Sequence, residues 1–142
     1  MESTVIDTTL RAHRIRPTPN RRSIYKILQR NNFALSQAEI ANELPDSFDR
    51  VTIYRTLNKF LENGLIHKVV DEFSTKYALC NEDNCDIDKH HDEHVHFKCS
   101  KCGHIFCLDA ISVTTPKLPS GFQTNFFSVI AEGICKDCTA KL

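Results

Sequence analysis

This sequence lacks any apolar run of membrane-spanning length, and its first residues lack the apolar core of a secretion signal. These absences place the chain, as an expectation, in the cytoplasm with no membrane partner. It also lacks internal repeats and low-complexity tracts, so ordinary globular domains are expected. An even cysteine count is lacking too: seven cysteines argue against a secreted disulfide framework. Net charge is absent, with 18 basic residues against 18 acidic ones.

That neutrality hides an uneven distribution. Residues 11–30 hold Arg11, Arg14, Arg16, Arg21, Arg22, Lys26 and Arg30 with no acid among them. Residues 81–93 reverse this, with Glu82, Asp83, Asp86, Asp88, Asp92 and Glu93 against Lys89 alone. A basic front suggests a polyanion partner, and an acidic, histidine-rich segment suggests a cation. At 142 residues the chain suits one ordinary domain or two small ones. Two small domains would each be short of core, which gives a structural ion a physical purpose.

Punctuation along the chain predicts the elements. Residues 1–15, with Val5, Leu10 and Ile15 apolar, suit a first helix broken at Arg16-Pro17. Thr18 can cap a second helix running from Pro19 to about Arg30, with Ile24, Ile27 and Leu28 on its apolar face. Ser36-Gln37-Ala38-Glu39 is a capping-box pattern opening a short helix that ends near Leu44-Pro45. Asp49 caps a longer helix through Glu62, stopped by Asn63-Gly64. Strands at Leu65–Val70 and Thr75–Leu79 then read as a hairpin. Helix, short helix, longer helix and hairpin is the order of a winged helix-turn-helix over residues 1–80. The acidic stretch 81–93 reads as a linker. A second domain, 94–142, is expected to carry strands at Val95–Lys98, His104–Leu108 and Phe122–Glu132, with a short helical or irregular crossover at 109–121. The fold class is α+β.

In a helix-turn-helix the second helix presents its first turns to base edges in the major groove. Thr52, Arg55 and Thr56 are the expected outward groups. Tyr54 offers a ring to a thymine methyl or a hydroxyl to phosphate, unless it belongs to the core. Arg16, Arg21 and Arg22 suit phosphate or minor-groove contacts, which supply affinity and salt dependence.

The second half carries the strongest chemical signal. Cys99/Cys102 and Cys135/Cys138 are two Cys-x-x-Cys pairs, and four thiolates from two tight turns are what a tetrahedral zinc site requires. Two disulfides or redox pairs are the alternative. A closed four-sulfur site has no open position, so one zinc per chain is expected to hold structure and do no chemistry. Four of the seven histidines lie within His90-His91-Asp92-Glu93-His94-Val95-His96. His94 and His96 alternate along a strand edge, which brings both imidazoles to one face as ligands for a second ion. Cys80 ends the second hairpin strand, and Cys107 lies eight residues after Cys99. An enzyme is not expected. Zinc deaminases pair His-x-Glu with Pro-Cys-x-x-Cys, whereas here His96 follows His94 and Lys98 precedes Cys99, so no general base is placed. Nor is a small-molecule substrate expected.

Four stretches together resemble the ferric uptake regulator family of metal-dependent bacterial repressors: Arg16-Pro-Thr-Pro-Asn-Arg21, Val51-Thr-Ile-Tyr-Arg-Thr-Leu57, His94-Val-His-Phe-Lys-Cys-Ser-Lys-Cys-Gly103 and Cys135-Lys-Asp-Cys138. The resemblance implies a homodimer on a palindromic duplex operator, an N-terminal winged helix, a C-terminal α/β dimerisation domain and a sensory metal between them. The cysteine quartet matches the structural zinc of four-cysteine members, and His94 and His96 match two sensory positions. Departures point within the family. Ala34 stands where iron- and peroxide-sensing members place a His, and Cys107 stands where they carry a carboxylate. Cys80 resembles the cysteine ligand of zinc-uptake regulators, which also take a ligand near the wing's start, where this chain has His67. The resemblance therefore implies a regulatory zinc drawn from His67, Cys80, His94, His96 and Cys107, thiolate and imidazole favouring zinc over harder-ligand metals. An iron- or peroxide-responsive regulator is the alternative. A zinc-ribbon interaction module without DNA binding is a more distant one.

Overall fold

Single side chains set the helix boundaries in the first half of the molecule. The structure, a computed structural model, describes residues 2–70, 74–79, 94–112, 116–124 and 129–142. The chain divides into two units, Met1–His90 and His91–Leu142. In the first, α1 (Glu2–Ala12) is followed by α2 (Pro19–Arg30), which starts where the Thr18 hydroxyl accepts the Arg21 N–H at 3.2 Å, with Pro19 just inside. A two-residue strand β1 (Leu35–Ser36) leads into α3 (Gln37–Asn42). Here the capping box is complete. The Glu39 N–H donates to Ser36 Oγ at 3.2 Å, and the Ser36 N–H donates to Glu39 Oε1 at 3.0 Å. Helix α4 (Arg50–Glu62) opens with the Thr52 N–H on Asp49 Oδ1 at 2.6 Å and closes at Asn63, with Gly64 at φ 73°. That same capping bond holds the Asp49 carboxyl below its ordinary pKa.

Strands β2 (Ile66–Val70) and β3 (Thr75–Leu79) pair antiparallel, His67 opposite Ala78 and Val70 opposite Thr75. β1 pairs the other edge of β3, Leu35 opposite Tyr77, giving the sheet order β1-β3-β2. The core under this sheet comes from every helix of the unit. Ile6 and Leu10, Ile24, Ile27 and Leu28, Ile40, and Ile53, Leu57 and Phe60 pack with Ile15, Leu35, Ile66 and Tyr77. This is a winged helix, as expected. The added β1 has no alternation a two-residue strand could display.

The second unit is built around β4 (His94–Cys99), which pairs antiparallel with β5 (Ile105–Ser112) and parallel with β6 (Val129–Gly133) in the order β5-β4-β6. A short α5 (Lys136–Ala140) follows. Among the described residues, one buried cluster here joins Cys99, Cys135 and Cys138, with Phe97 and Phe106 against it. Two expectations change. β5 continues past Leu108 to Ser112. Of the strand expected over 122–132, residues 122–124 form no regular element while Val129–Gly133 form β6, residues 125–128 lying outside the described residues. Phe122 is 69% exposed, so it contributes little to the core. The expected linker 81–93 and Cys80 lie outside the described residues.

Candidate metal centres and nucleic-acid interface

The cysteine quartet is assembled by two backbone knuckles. Gly103, at φ 78°, lets the chain turn between β4 and β5. Its N–H donates to Cys99 O at 2.9 Å, and the Cys99 N–H donates to His104 O at 3.0 Å. The Ser100 N–H and hydroxyl both donate to Gly133 O, at 2.8 and 3.1 Å, tying this knuckle to the end of β6 and so to the knuckle that follows it. A Cβ on Gly133 would stand 3.3 Å from the Phe97 ring, which explains the small residue there.

All four cysteines are free thiols whose sulfurs lie within 4.8 Å of one another, with Cys102 Sγ 3.8 Å from Cys135 Sγ. A zinc tetrahedron with Zn–S bonds of about 2.3 Å has edges of about 3.8 Å. The spacing is that of a metal cage, and the disulfide alternative falls away. The N–H groups of Cys102 and Cys135 donate to Cys99 Sγ, each at 3.4 Å. With the Cys102 N–H leading, and against burial, they draw the Cys99 thiol down to about 6, whereas burial leads in pushing Cys138 up to about 12. Such a set ionises together only around a cation. The donors fit structural zinc, and four sulfurs leave no position for substrate.

A second pair of donors sits on the same sheet. His96 on β4 lies directly opposite Cys107 on β5, with ligand atoms within 4.8 Å, and His96 is 2% exposed. An imidazole and a half-buried thiol facing each other across adjacent strands are two soft donors of the kind a tetrahedral zinc site draws on. In the first unit, His67 on β2 is 1% exposed. Alternation puts it on the face of β2 away from Ile66, whose side chain belongs to the core. At His94 the β4–β5 register breaks before Val95, so simple alternation does not carry across that point. The side chain of His94, like Cys80, lies outside the described residues.

The helix expected to meet DNA shows a clear inner and outer face. Ile53, Thr56, Leu57 and Phe60 point inward. Thr56 is therefore not an outward group. It is 7% exposed and its hydroxyl donates to Thr52 O at 2.9 Å. Arg50, Val51, Tyr54 and Arg55 form the outer face, with Val51 56% and Tyr54 53% exposed; Thr52 is half-buried. Tyr54 thus belongs to the surface, not the core. Sequence spacing counted Val51 with Leu57 and Phe60 on the apolar stripe and passed over Arg50, whereas the helical period places Val51, Tyr54 and Arg55 on one outer face once the inner stripe is known. Gln37 Nε2 donates to Arg50 O at 3.1 Å, locking the start of α4 to α3.

The basic front is less free than its composition suggests. Arg22 forks onto Asp7, Nε to Oδ1 at 2.7 Å and Nη2 to Oδ2 at 3.1 Å, so its guanidinium serves the α1–α2 packing and is not an unengaged DNA cation. No local motif announced Asp7 as its partner. Arg30 pairs with Glu43 at 2.9 Å, and Arg21 Nη1 donates to Arg16 O at 2.8 Å. The guanidinium of Arg16 is exposed and makes no hydrogen bond or ion pair among the described residues.

The model of the ferric uptake regulator family matches residues 12–119 of the chain. The zinc uptake regulation protein of Escherichia coli strain K12 is 26% identical over 131 residues, spanning 87% of this chain and 73% of that protein. The peroxide-responsive repressor PerR of Staphylococcus saprophyticus is 27% identical over 143 residues, spanning 94% and 89%. Among solved structures, a zinc uptake regulator complexed with zinc and DNA superposes with a TM-score of 0.68 at 22% identity, covering 97% of this chain and 93% of that one. At that identity the likeness speaks for the fold. No helix among the described residues is long and apolar enough to cross a membrane.

Proposed function

The chain belongs to the ferric uptake regulator family of metal-responsive transcriptional regulators, which are not enzymes, and from that premise we propose that it is a zinc-responsive repressor of metal-uptake genes. It acts in the cytoplasm as a homodimer on a palindromic operator, with one structural zinc per chain in the cysteine quartet and a second, regulatory zinc. The observation that carries zinc over iron is the His96–Cys107 pair, a buried imidazole facing a thiol where a carboxylate would suit a harder ion. His67, Cys80 and His94 are the residues from which this reading completes the coordination sphere.

The mechanism is a population shift. Metal drawn jointly by residues of the wing and of the second domain favours the arrangement in which two winged helices match two half-sites. A preference of about 3 kcal/mol shifts that equilibrium more than a hundredfold. Val51, Tyr54 and Arg55 meet base edges from the outer face of α4, and Arg16 and Arg21 meet phosphate. Because thiolate and neutral imidazole are the binding forms, metal affinity falls in mild acid. The variant His96→Ala, with its quartet zinc retained by metal analysis, is expected to lose zinc-dependent operator binding in fluorescence anisotropy. Full retention of the zinc response would exclude His96 as a ligand and with it this assignment of the sensory site.

A further inference from the structure

Among the described residues, one that is not glycine has a left-handed backbone: Arg14, at φ 61°. It ends α1. The Ile15 N–H donates to Leu10 O at 2.8 Å and the Arg14 N–H to Arg11 O at 3.0 Å. This pair of bonds is a Schellman closure, and Leu10 and Ile15 share the core cluster as that motif usually requires. The left-handed position in such a closure is ordinarily glycine, because a Cβ there crowds the following carbonyl. The strain is held in place from another element. Asn63, at the end of α4, donates from Nδ2 to His13 O at 2.7 Å and to Arg14 O at 3.3 Å.

The side chain on this strained backbone is an exposed cation. Arg21, Arg22 and Arg30 engage Arg16 O, Asp7 and Glu43, whereas the Arg14 guanidinium makes no hydrogen bond or ion pair among the described residues. Strain that a glycine would relieve persists where the side chain it carries is used. We propose that Arg14 is a DNA phosphate-binding residue and that Asn63 is its positioning residue, fixing the cation relative to the end of the recognition helix. The assignment rests on the DNA-binding reading above. Composition counts Arg14 within the basic front; its backbone strain is what singles it out there.

The test compares full-length, zinc-loaded wild-type protein with Arg14→Gly and Arg14→Lys on a duplex that the wild type selects from a random pool. Glycine relieves the backbone, so Arg14→Gly is expected to raise the thermal midpoint by a few degrees. The same variant weakens DNA binding severalfold at fixed salt and lowers the slope of log affinity against log salt by about one per protomer. Arg14→Lys keeps the strained backbone and the charge, and retains both the midpoint and the salt slope. Wild-type affinity and slope in Arg14→Gly would overturn the assignment, as would loss of the slope in Arg14→Lys. Failure of the wild type to select any duplex in zinc would instead overturn the DNA-binding function itself, and the Arg14 assignment with it.

Discussion

The two units of this chain solve the problem of small size in different ways. The first buries Ile, Leu, Phe and Tyr side chains from four helices and a sheet, with Leu10, Ile24, Ile40, Ile53, Leu57 and Phe60 fully enclosed. Among the described residues of the second, the cysteine cluster carries Cys99, Cys135 and Cys138 with Phe97 and Phe106 against them. Apolar burial stabilises by about 25 cal/mol per Å², and a small three-stranded sheet has little such area to bury. A structural zinc in a small domain contributes on the order of 10 kcal/mol. On the proposed reading, the first unit folds on its apolar core and the second depends on the ion its cysteines would hold.

Removing the ion breaks this comparison most severely. A strong chelator is expected to abolish amide protection across β4, β5 and β6 while leaving that of α2 and α4 intact, as read by hydrogen exchange. Equal loss in both units would mean that they share one cooperative core. The converse experiment is Leu57→Ala, a fully buried position in the first unit. It is expected to destabilise that unit by about 2–5 kcal/mol in denaturant unfolding, with zinc content unchanged.

How much of this was legible in the sequence differs between the units for the same physical reason. Helix boundaries in the first unit are written by local chemistry: Thr18, the Ser36/Glu39 box and Asp49 each cap where they stand. The quartet was legible because metal ligands must be spaced for one ion. What sequence could not display was pairing at a distance. Arg22 looked like a DNA cation until Asp7 was found fifteen residues away across a helix packing. Thr56 looked like a base contact because periodicity alone does not say which face of α4 is inner. Strand ends in the second unit were less legible because apolar residues do not alternate cleanly along β5.

Acid sharpens the contrast with an ordering in pH. The carboxyls of Asp7, Glu39 and Asp49 have pKa values lowered in the folded state. The Arg22 hydrogen bond leads for Asp7 and the Thr52 N–H for Asp49; for Glu39 the Ser36 N–H leads the lowering against burial. A lowered carboxylate contributes stability that is present above its unfolded value, near 4, and is lost as pH falls through the folded value. The first unit therefore persists to lower pH than the second, whose zinc is displaced by protons on its sulfurs. Circular dichroism with a zinc-release dye during acid titration reads both events, and zinc release is expected first. The smallest effect is local: Ser36→Ala removes half of the capping box and is expected to destabilise the first unit by about 1 kcal/mol, without changing zinc affinity.

Zinc stoichiometry and DNA binding, followed together as free zinc is raised under buffered anaerobic conditions, test the central claim most directly. The account predicts that the first equivalent per chain orders the second unit without operator binding. A second, weaker equivalent then switches binding on, while ferrous iron and manganese at their own cellular levels do not. Operator binding complete at one equivalent, or switching by iron at such levels, would contradict a zinc-sensing role for His96 and Cys107.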